Sequence, residues 1–222
     1  MLADAMLVES FADRHDAGKL LGAEVVRRIG KPADAVVLAL PRGGVPVGFE
    51  VARALGAPLD VFIVRKLGVP GQEELAMGAI ASGGVRVLND EVLRYVPVSQ
   101  RMIEMVAEQE GRELERREKA YRGNRPPLDV TGKTVVVVDD GLATGSTMRA
   151  AVQALEKMKP RRIVVAVPVA APSTCAEFRG SPTMSIDEMI CLRTPEPFQA
   201  VGLWYQDFTQ TTDDEVHELL DV

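Results

Sequence analysis

Short runs of β-branched residues alternate with helix-like stretches along this chain, and this alternation limits the possible folds more than any other feature. The runs cover residues 35–40, 59–65, 134–138, 163–169 and 190–192. Strands that alternate with helices are typical of βαβ units, in which the strands run parallel. We therefore predict an α/β fold with a mostly parallel twisted sheet flanked by helices, and the length of 222 residues fits a single domain.

The first helix is predicted over residues 13–28, because Asp13 is suited to cap its N-terminus. An apolar stripe follows at helical spacing, formed by Ala17, Leu20, Leu21 and Val25. Further helices are predicted over residues 45–55, 99–122, 145–159, 173–178 and 213–220. A glycine-rich stretch covers residues 68–84, and a small hairpin is predicted to join residues 79–81 to residues 85–88.

The predicted helix over residues 99–122 is long and dominated by Arg and Glu in its second half. Its thin apolar stripe comprises Met102, Met105, Val106, Gln109 and Leu114. We interpret the charged face as a solvated surface stabilised by ion pairs one helical turn apart. The alternative is that the arginine-rich end, residues 122–127, forms a mobile cover over an anionic ligand.

The charge balance excludes one class of partner. Lys and Arg number 26 and Asp and Glu 32, which gives a formal net charge of −6. Proteins that coat nucleic acids or bind anionic membrane surfaces need a surplus of Lys and Arg. We therefore expect neither nucleic acid nor a membrane as a partner.

Cysteines and histidines are too few for several kinds of site. Cys175 and Cys191 are interpreted as small buried thiols of a reducing cytosol, and His15 and His217 form no paired metal motif. Residues 1–18 are acidic and show no signal-peptide pattern, so a cytoplasmic protein is expected. The chemistry is therefore expected to rest on carboxylates, backbone amides, Arg and Lys.

The segment over residues 134–147 is predicted to carry that chemistry. A buried strand ends in Asp139 and Asp140, and a short loop leads to a hydroxyl-rich glycine turn that opens a helix. Ligands of open α/β sheets bind at the carboxyl ends of the strands. The two carboxylates can accept hydrogen bonds from vicinal hydroxyls of a sugar, and the turn at a helix N-terminus is suited to a phosphate. One ligand that carries a diol and a phosphate fits both parts.

Two other families share part of this pattern. A strand that ends in two acids resembles a Walker B segment, but the matching Walker A loop would need a glycine where Pro127 stands, and Gly132-Lys133-Thr134 enters a strand. Receiver domains carry their acidic pair near the N-terminus, ahead of a phosphoacceptor aspartate. Neither interpretation fits the order of elements in this chain.

Residues 135–147 resemble without a gap the ribose-phosphate signature of the type I phosphoribosyltransferases, which use phosphoribosyl pyrophosphate (PRPP). The resemblance implies the type I phosphoribosyltransferase fold, with a small hood over the sheet and here a long inserted charged helix. It implies that Asp139 and Asp140 hold the ribose hydroxyls. It further implies that the following turn holds the 5′-phosphate, through Gly141, Ala143, Thr144, Gly145, Ser146 and Thr147.

Two further segments support the resemblance. Pro41-Arg42-Gly43-Gly44 follows the first predicted strand, where the family has a pyrophosphate loop, often with an unusual backbone conformation. Its two glycines let the backbone approach an anion, and Arg42 can donate two hydrogen bonds to it. Arg65 and Lys66 end the second predicted strand and are similar to a basic pair that contacts pyrophosphate in some members.

The resemblance implies transfer of a 5-phosphoribosyl group from PRPP to a nitrogenous acceptor, with Asp139, Asp140, Arg42 and Lys66 as the catalytic group. Mg²⁺ is expected to enter with PRPP, near the two aspartates, and no permanent metal is expected. The acceptor pocket is expected in the hood, where Trp204, Tyr205 and Phe208 are candidates to stack on a planar base or to form the hood core.

The chain also resembles a bacterial subgroup of phosphoribosyltransferase-like proteins, through residues 42–47, 74–79 and 194–198. No familiar base-recognition signature accompanies these motifs, so the acceptor is left open, and a homo-oligomer is compatible with the family. We place the core at residues 34–192, an insertion at 85–130 and the hood in the N-terminal segment and residues 195–222. The alternatives are a PRPP-binding regulatory or nucleic-acid-binding protein without transferase activity, or a PRPP hydrolase that uses Glu73 or Glu74.

Overall fold

The structure is a computed structural model, and it describes residues 10–221. Its centre is a five-stranded sheet in which every neighbouring pair of strands is parallel. The strands lie in the order β2 (Leu59–Val61), β1 (Ala35–Ala39), β6 (Thr134–Val138), β7 (Arg162–Val169) and β8 (Glu188–Arg193). The predicted parallel α/β sheet is thereby confirmed.

Helices cover both faces of this sheet, because alternate residues of its strands point to opposite sides. Val136 and Val164 pack beneath α1 (Arg14–Ile29) and α2 (Gly44–Leu55). Val135 and Val165 pack on the other face against α5 (Ser146–Lys157) and α6 (Pro172–Gly180). Asp13 caps α1 through a hydrogen bond from the backbone of Asp16, as the sequence predicts.

The predicted strand over residues 59–65 is two strands in two different sheets. The chain leaves the parallel sheet after β2 and enters β3 (Val64–Val69), which pairs antiparallel with β4 (Gln72–Ala81). β4 in turn pairs with β5 (Val85–Leu88), so the hairpin expected there is the end of a three-stranded antiparallel sheet. Local β propensity could not locate the break, since Phe62 and Ile63 between the two strands are as apolar as the strands themselves.

The long charged helix is present as α4 (Gln100–Arg122), and a short helix, α3 (Asp90–Tyr95), precedes it. On its solvated face, residues one helical turn apart form ion pairs, among them Arg112 with Glu108 and Arg117 with Glu113. Its buried stripe agrees with the predicted one in part, since Leu114 is buried and Val106 packs against the same cluster. Ile103, Ala107 and Leu114 are buried, whereas Met102 and Met105 are exposed. Of the helices within residues 10–221, none combines the length and hydropathy needed to cross a membrane.

The arginine-rich end of α4 docks against the body of the protein. The Arg122 guanidinium is buried and donates to both carboxylate oxygens of Asp60 at 2.8 and 2.9 Å. Arg125 donates to the carbonyl of Leu220, at the end of α7 (Asp213–Leu220). These two arginines are therefore engaged in structural contacts and do not form a free cover.

Segments near both ends of the described chain meet above the parallel sheet. The backbone amide of Phe11 donates to the Trp204 carbonyl at 2.8 Å, and Gln206 donates back to the Phe11 carbonyl at 2.8 Å. Phe11 and Tyr205 form a small buried cluster with Val169 of β7. We call residues 10–13 and 198–209 the hood. Residues 1–9, in which the sequence shows no signal-peptide pattern, lie outside the described residues.

Cys175 and Cys191 form a disulfide, which corrects the prediction of free thiols. The two residues are sixteen positions apart, but α6 packs on β8 and brings their Cα atoms to 6.8 Å. That distance is within the range that a disulfide spans. The pairing follows from a contact between two elements, which sequence spacing does not reveal.

Candidate functional site

The two acids of the predicted site follow β6, at the carboxyl edge of the parallel sheet. The Leu40 amide donates to the Val138 carbonyl at 2.9 Å, so the ends of β1 and β6 stay together beyond their last paired residues. Asp139 Oδ1 accepts a hydrogen bond from the Asp140 backbone amide at 2.9 Å. The loops that follow β1 and β6 therefore begin side by side.

Asp140 is bound by an arginine that the sequence motifs did not indicate. Arg14 Nε donates to Asp140 Oδ2 at 2.9 Å, and the two side chains are only 10% and 16% exposed. Arg14 Nη1 also donates to the Thr209 carbonyl at 2.7 Å, and the guanidinium lies 3.9 Å from the ring centre of Phe208. The sequence did contain a sign that Arg14 has a partner. Arg14 has the helical spacing of the buried residues of α1, and a buried arginine without a partner would be energetically costly.

The environment of the acidic pair alters its proton affinity. Burial raises the pKa of Asp139 well above the usual range of an aspartate, and the charge of Asp140 raises it further. Burial also raises the pKa of Asp140. The Arg14 guanidinium opposes the rise in pKa at both carboxyls. Arg14 therefore supplies a positive charge that favours the ionised form of the pair.

The predicted pyrophosphate loop fits closely against the acidic pair. A Cβ atom on Gly43 would overlap Asp140 Oδ2 and lie 2.8 Å from its Cγ, and one on Gly44 would lie 2.8 Å from the Val138 carbonyl oxygen. The peptide bond between Pro41 and Arg42 is cis. Glycine is thus required at this contact between two loops.

Arg42 extends from that loop toward α7. Its guanidinium lies 3.4 Å from Asp213 Oδ1, and the Tyr121 hydroxyl donates to the same oxygen at 3.1 Å. The Arg42 side chain is 34% exposed and that of Asp213 is 64% exposed. This contact is a solvent-accessible ion pair, so an incoming anion can compete for Arg42.

The predicted phosphate turn connects β6 to α5. Leu142 forms a single parallel bridge with Ala170, and Thr174 of α6 donates from its hydroxyl to the Ala143 carbonyl at 2.6 Å. Gly145 caps α5 with a φ of 70°, and a Cβ there would lie 2.7 Å from the Phe178 ring. The exposed residues of the turn are Ala143, Thr144, Ser146 and Thr147. Gly141 fits beneath Val201 of the hood, whose Cγ1 would be 2.5 Å from an added Cβ.

Arg65 and Lys66 are neighbours on β3 but have different surroundings. Arg65 forms an ion pair with Glu110 of α4, at 2.6 Å from Nη2 to Oε2. Lys66 is exposed and lines a cavity of about 470 Å³ together with Ser146 and Glu74. Of this basic pair, Lys66 therefore shares a cavity with the predicted phosphate turn, whereas Arg65 is held by Glu110 of α4.

The aromatic residues of the hood differ in accessibility. Tyr205 is 5% exposed, with its ring 5.4 Å from that of Phe11 and 5.0 Å from that of Phe208 between ring centres. Its hydroxyl donates to the Asp140 backbone carbonyl at 2.5 Å, and burial raises its pKa. Trp204 is half-buried, and its indole N–H has no partner among residues 10–221. Tyr205 therefore supports the Asp140 backbone, and the accessible aromatic surface belongs to Trp204 and Phe208.

Comparison with known proteins agrees with this geometry. The family model described as a phosphoribosyl transferase domain matches residues 17–190. A Mycobacterium tuberculosis protein named as a phosphoribosyl transferase is 48% identical over 211 residues, which are 95% of this chain and 46% of that protein. The chain thus spans about half the length of this relative.

Two further matches have different coverage. The bifunctional protein PyrR of Chloroflexus aurantiacus is 36% identical over 140 residues, which are 61% of this chain and 68% of that protein. The Thermus thermophilus protein TT1426, whose crystal structure is known, is 44% identical to this chain in sequence. The two structures superpose with a TM-score of 0.83, over 95% of this chain and 97% of TT1426. The chain therefore belongs to the phosphoribosyltransferase family and has the type I fold that the sequence predicts.

Proposed function

We propose that this chain binds PRPP and transfers its 5-phosphoribosyl group to a nitrogenous base-like acceptor, with release of pyrophosphate. The observation that carries the proposal is the close fit of Gly43 against Asp140, which joins the pyrophosphate loop to the acidic pair. The turn that opens α5 follows that pair after two residues. Elements suited to a diol, a phosphate and a pyrophosphate thus adjoin one another. Because the chain spans about half of its mycobacterial relative, the proposal concerns the activity of this chain alone.

The 5′-phosphate is assigned to the turn between Ala143 and Thr147. The backbone amides and the positive end of the α5 dipole attract an anion, and the exposed hydroxyls of Thr144, Ser146 and Thr147 can donate to it. The glycines of the turn permit the tight approach, because Gly145 adopts a positive φ and Gly141 lies directly against the hood. The ribose hydroxyls are assigned to Asp139 and Asp140.

The pyrophosphate is assigned to the loop of Arg42, Gly43 and Gly44, with Lys66 as a second cation. Arg42 can replace its exposed contact to Asp213 by hydrogen bonds to phosphate oxygens. Lys66 is accessible on the cavity that also contains Ser146. Arg65 would need to leave Glu110 before it could contribute, so we assign it a secondary role.

Transfer requires cleavage of the bond between C1′ and the pyrophosphate oxygen, whose electron pair leaves with pyrophosphate. The nitrogen lone pair of the acceptor forms the new bond to C1′, and the nitrogen then loses its proton to the surroundings. The transition state resembles an oxocarbenium ion. The protein acts mainly by position and charge: Asp139 and Asp140 hold the ribose and favour positive charge on the ring, and Arg42 and Lys66 stabilise the leaving group.

Magnesium fits this site as a companion of the substrate. Within residues 10–221, no three His, Cys, Asp or Glu side chains come together so as to hold a metal ion by themselves. Two adjacent carboxylates at the carboxyl edge of the sheet match the way in which Mg²⁺ binds through one or two carboxylates, water and substrate phosphates. When bound, Mg²⁺ would neutralise charge on the leaving pyrophosphate.

The acceptor is assigned to the hood, beside the ribose site. Trp204 and Phe208 offer the accessible aromatic surface, on which a planar base can stack. Tyr205 contributes indirectly, because its hydroxyl donates a hydrogen bond to the backbone carbonyl of Asp140.

The test incubates the chain with Mg²⁺ and labelled PRPP in the presence of individual purine and pyrimidine bases, and follows pyrophosphate release. Release that depends on one base supports transfer. Release without any base would replace transfer by hydrolysis, with Glu73 and Glu74 as the acids to substitute next. Binding of PRPP without release would indicate a regulator, and salt-dependent gel shifts with RNA would then show whether it binds nucleic acid.

A further inference from the structure

Arg14 is fixed in place by three contacts. It donates to Asp140 Oδ2 at 2.9 Å and to the Thr209 carbonyl at 2.7 Å, and its guanidinium lies 3.9 Å from the Phe208 ring centre. Such a set of contacts leaves a planar guanidinium little freedom to rotate. The ion pair is largely buried, which strengthens its electrostatic interaction relative to an exposed pair.

Asp140 is held at two of its three oxygens. Arg14 engages Oδ2, and the Tyr205 hydroxyl engages the backbone carbonyl at 2.5 Å. Among residues 10–221, Arg14 is the one side chain that donates a hydrogen bond to the Asp140 carboxylate. The side chain is therefore oriented through Oδ2, and no second side chain competes with a ligand for the carboxylate.

The ion pair also lies directly beneath the pyrophosphate loop. A Cβ on Gly43 would be 3.4 Å from Arg14 Nε, so Arg14 reaches the junction of the loop with the acidic pair. Arg14 and Tyr205 both lie outside residues 17–190, which the family model matches. The matched segment thus contains Asp140 but not the residues that orient it.

We propose that Arg14 is the positioning residue of the ribose site: it holds Asp140 by one oxygen so that the other accepts a ribose hydroxyl. This inference rests on the proposed function, since it assumes that Asp140 binds a sugar. According to this inference, Arg14 is the reason why the site prefers a phosphorylated sugar with both hydroxyls to one that lacks a hydroxyl. A role limited to stability would leave that preference unchanged.

The test measures binding of ribose 5-phosphate and of its 2-deoxy and 3-deoxy analogues by calorimetry, with the whole chain and with Arg14→Gln. In the unaltered protein, we expect at least one analogue to bind about tenfold more weakly, because it lacks a hydrogen bond to a charged acceptor. In Arg14→Gln, we expect ribose 5-phosphate to bind about as weakly as that analogue. The affinity of the analogue itself should change little. Arg14→Lys should retain part of the preference, because it keeps the cation without the planar donors.

Arg122→Gln is the matched control. It also removes a buried guanidinium from an aspartate, Asp60, but in a contact between α4 and β2. We expect it to lower the free energy of unfolding and to keep the full preference for the hydroxyls. If Arg14→Gln does not fold, Phe208→Leu is used instead. It removes the ring that lies against the Arg14 guanidinium, so the preference for ribose 5-phosphate over the deoxy analogue should decrease.

The outcomes separate this inference from the function on which it rests. If folded Arg14→Gln keeps the full preference for ribose 5-phosphate, the role of Arg14 is wrong and the proposed function is unaffected. The same holds for Phe208→Leu where that variant is used in its place. An unaltered protein that binds all three sugars equally well, or none of them, contradicts the proposed function itself.

Discussion

Gly43 lies so close to Asp140 that a single added carbon on the glycine would overlap the carboxylate oxygen. The contact joins two loops that are almost a hundred residues apart in sequence, one after β1 and one after β6. It fixes the spacing between the part of the site assigned to pyrophosphate and the part assigned to ribose. The first prediction follows directly from this contact.

Gly43→Ala should weaken binding of PRPP by tenfold or more, because the added methyl group pushes the Asp140 carboxylate or the loop out of position. Calorimetry with Mg²⁺ and PRPP measures the effect. Gly180→Ala is the control, since the space around Gly180 at the end of α6 is open. Equal affinities in the two variants would show that the loop and the acid can separate without consequence for the ligand.

Asp140→Asn should weaken PRPP binding roughly tenfold to a hundredfold, because it removes a charged hydrogen-bond acceptor worth about 1.5–3 kcal/mol. Binding of pyrophosphate alone should change much less, since that ligand has no hydroxyls. Asp129→Asn, at an exposed position that only caps a local turn, provides the comparison. A silent Asp140→Asn substitution would show the assignment of the ribose site to be wrong.

Asp213→Asn should make pyrophosphate bind about two- to fivefold more tightly in the presence of Mg²⁺. Arg42 must give up the Asp213 carboxylate before it can bind the anion, and an exposed pair of this kind contributes about 0.2–1 kcal/mol. Asp214→Asn removes the same charge from the same first turn of α7 and serves as the control. An affinity that rises equally in both variants would indicate a general charge effect instead of competition for Arg42.

Loss of the disulfide should reduce both stability and phosphate binding. Cys175 adjoins Thr174, whose hydroxyl bonds the Ala143 carbonyl of the phosphate turn. A link that closes a loop of this length contributes about 3 kcal/mol in the chain-entropy estimate. We expect Cys175→Ala combined with Cys191→Ala to unfold at lower urea concentration and to bind ribose 5-phosphate more weakly.

A thiol reductant supplies the internal control for the disulfide. Dithiothreitol should bring the unaltered protein toward the behaviour of the double variant and should leave the double variant itself unchanged. Reduction without any shift of the urea midpoint would mean that the bond does not stabilise α6 on β8.

Much of the architecture could be predicted because its signals are local. Strands β1, β6 and β7 are uninterrupted apolar runs buried on both faces, and the helix after Asp139 and Asp140 begins at a glycine turn. The alternation of such runs with helices is sufficient to predict the parallel α/β sheet, and the gapless stretch of thirteen residues, 135–147, carries the main resemblance to the family.

The missed features depend on contacts between distant parts of the chain. Nothing near Arg14 indicates that Asp140 is its partner, because the two are separated by 126 positions. The disulfide has the same origin, since Cys175 and Cys191 meet only after α6 packs on β8. The predicted stripe of α4 is only partly right for a related reason: Leu114 is buried as predicted, but the stripe is set by the β3–β4 sheet beneath it, and the exposed Met102 and Met105 have no polarity that would exclude them from it.

The contacts between the two ends of the described chain also set an order for folding. Arg14 donates to the Thr209 carbonyl across 195 positions, so this contact closes a very long loop. Closing such a loop costs more conformational entropy than forming a local contact, so we expect this contact to form after the local elements. On the ribosome, a nascent chain that has emerged through β8 already holds every strand of the central sheet, yet the oriented Asp140 must await residues 205–209. A translation product that ends after β8 would therefore lack the contacts from Tyr205 to Asp140 and from Thr209 to Arg14.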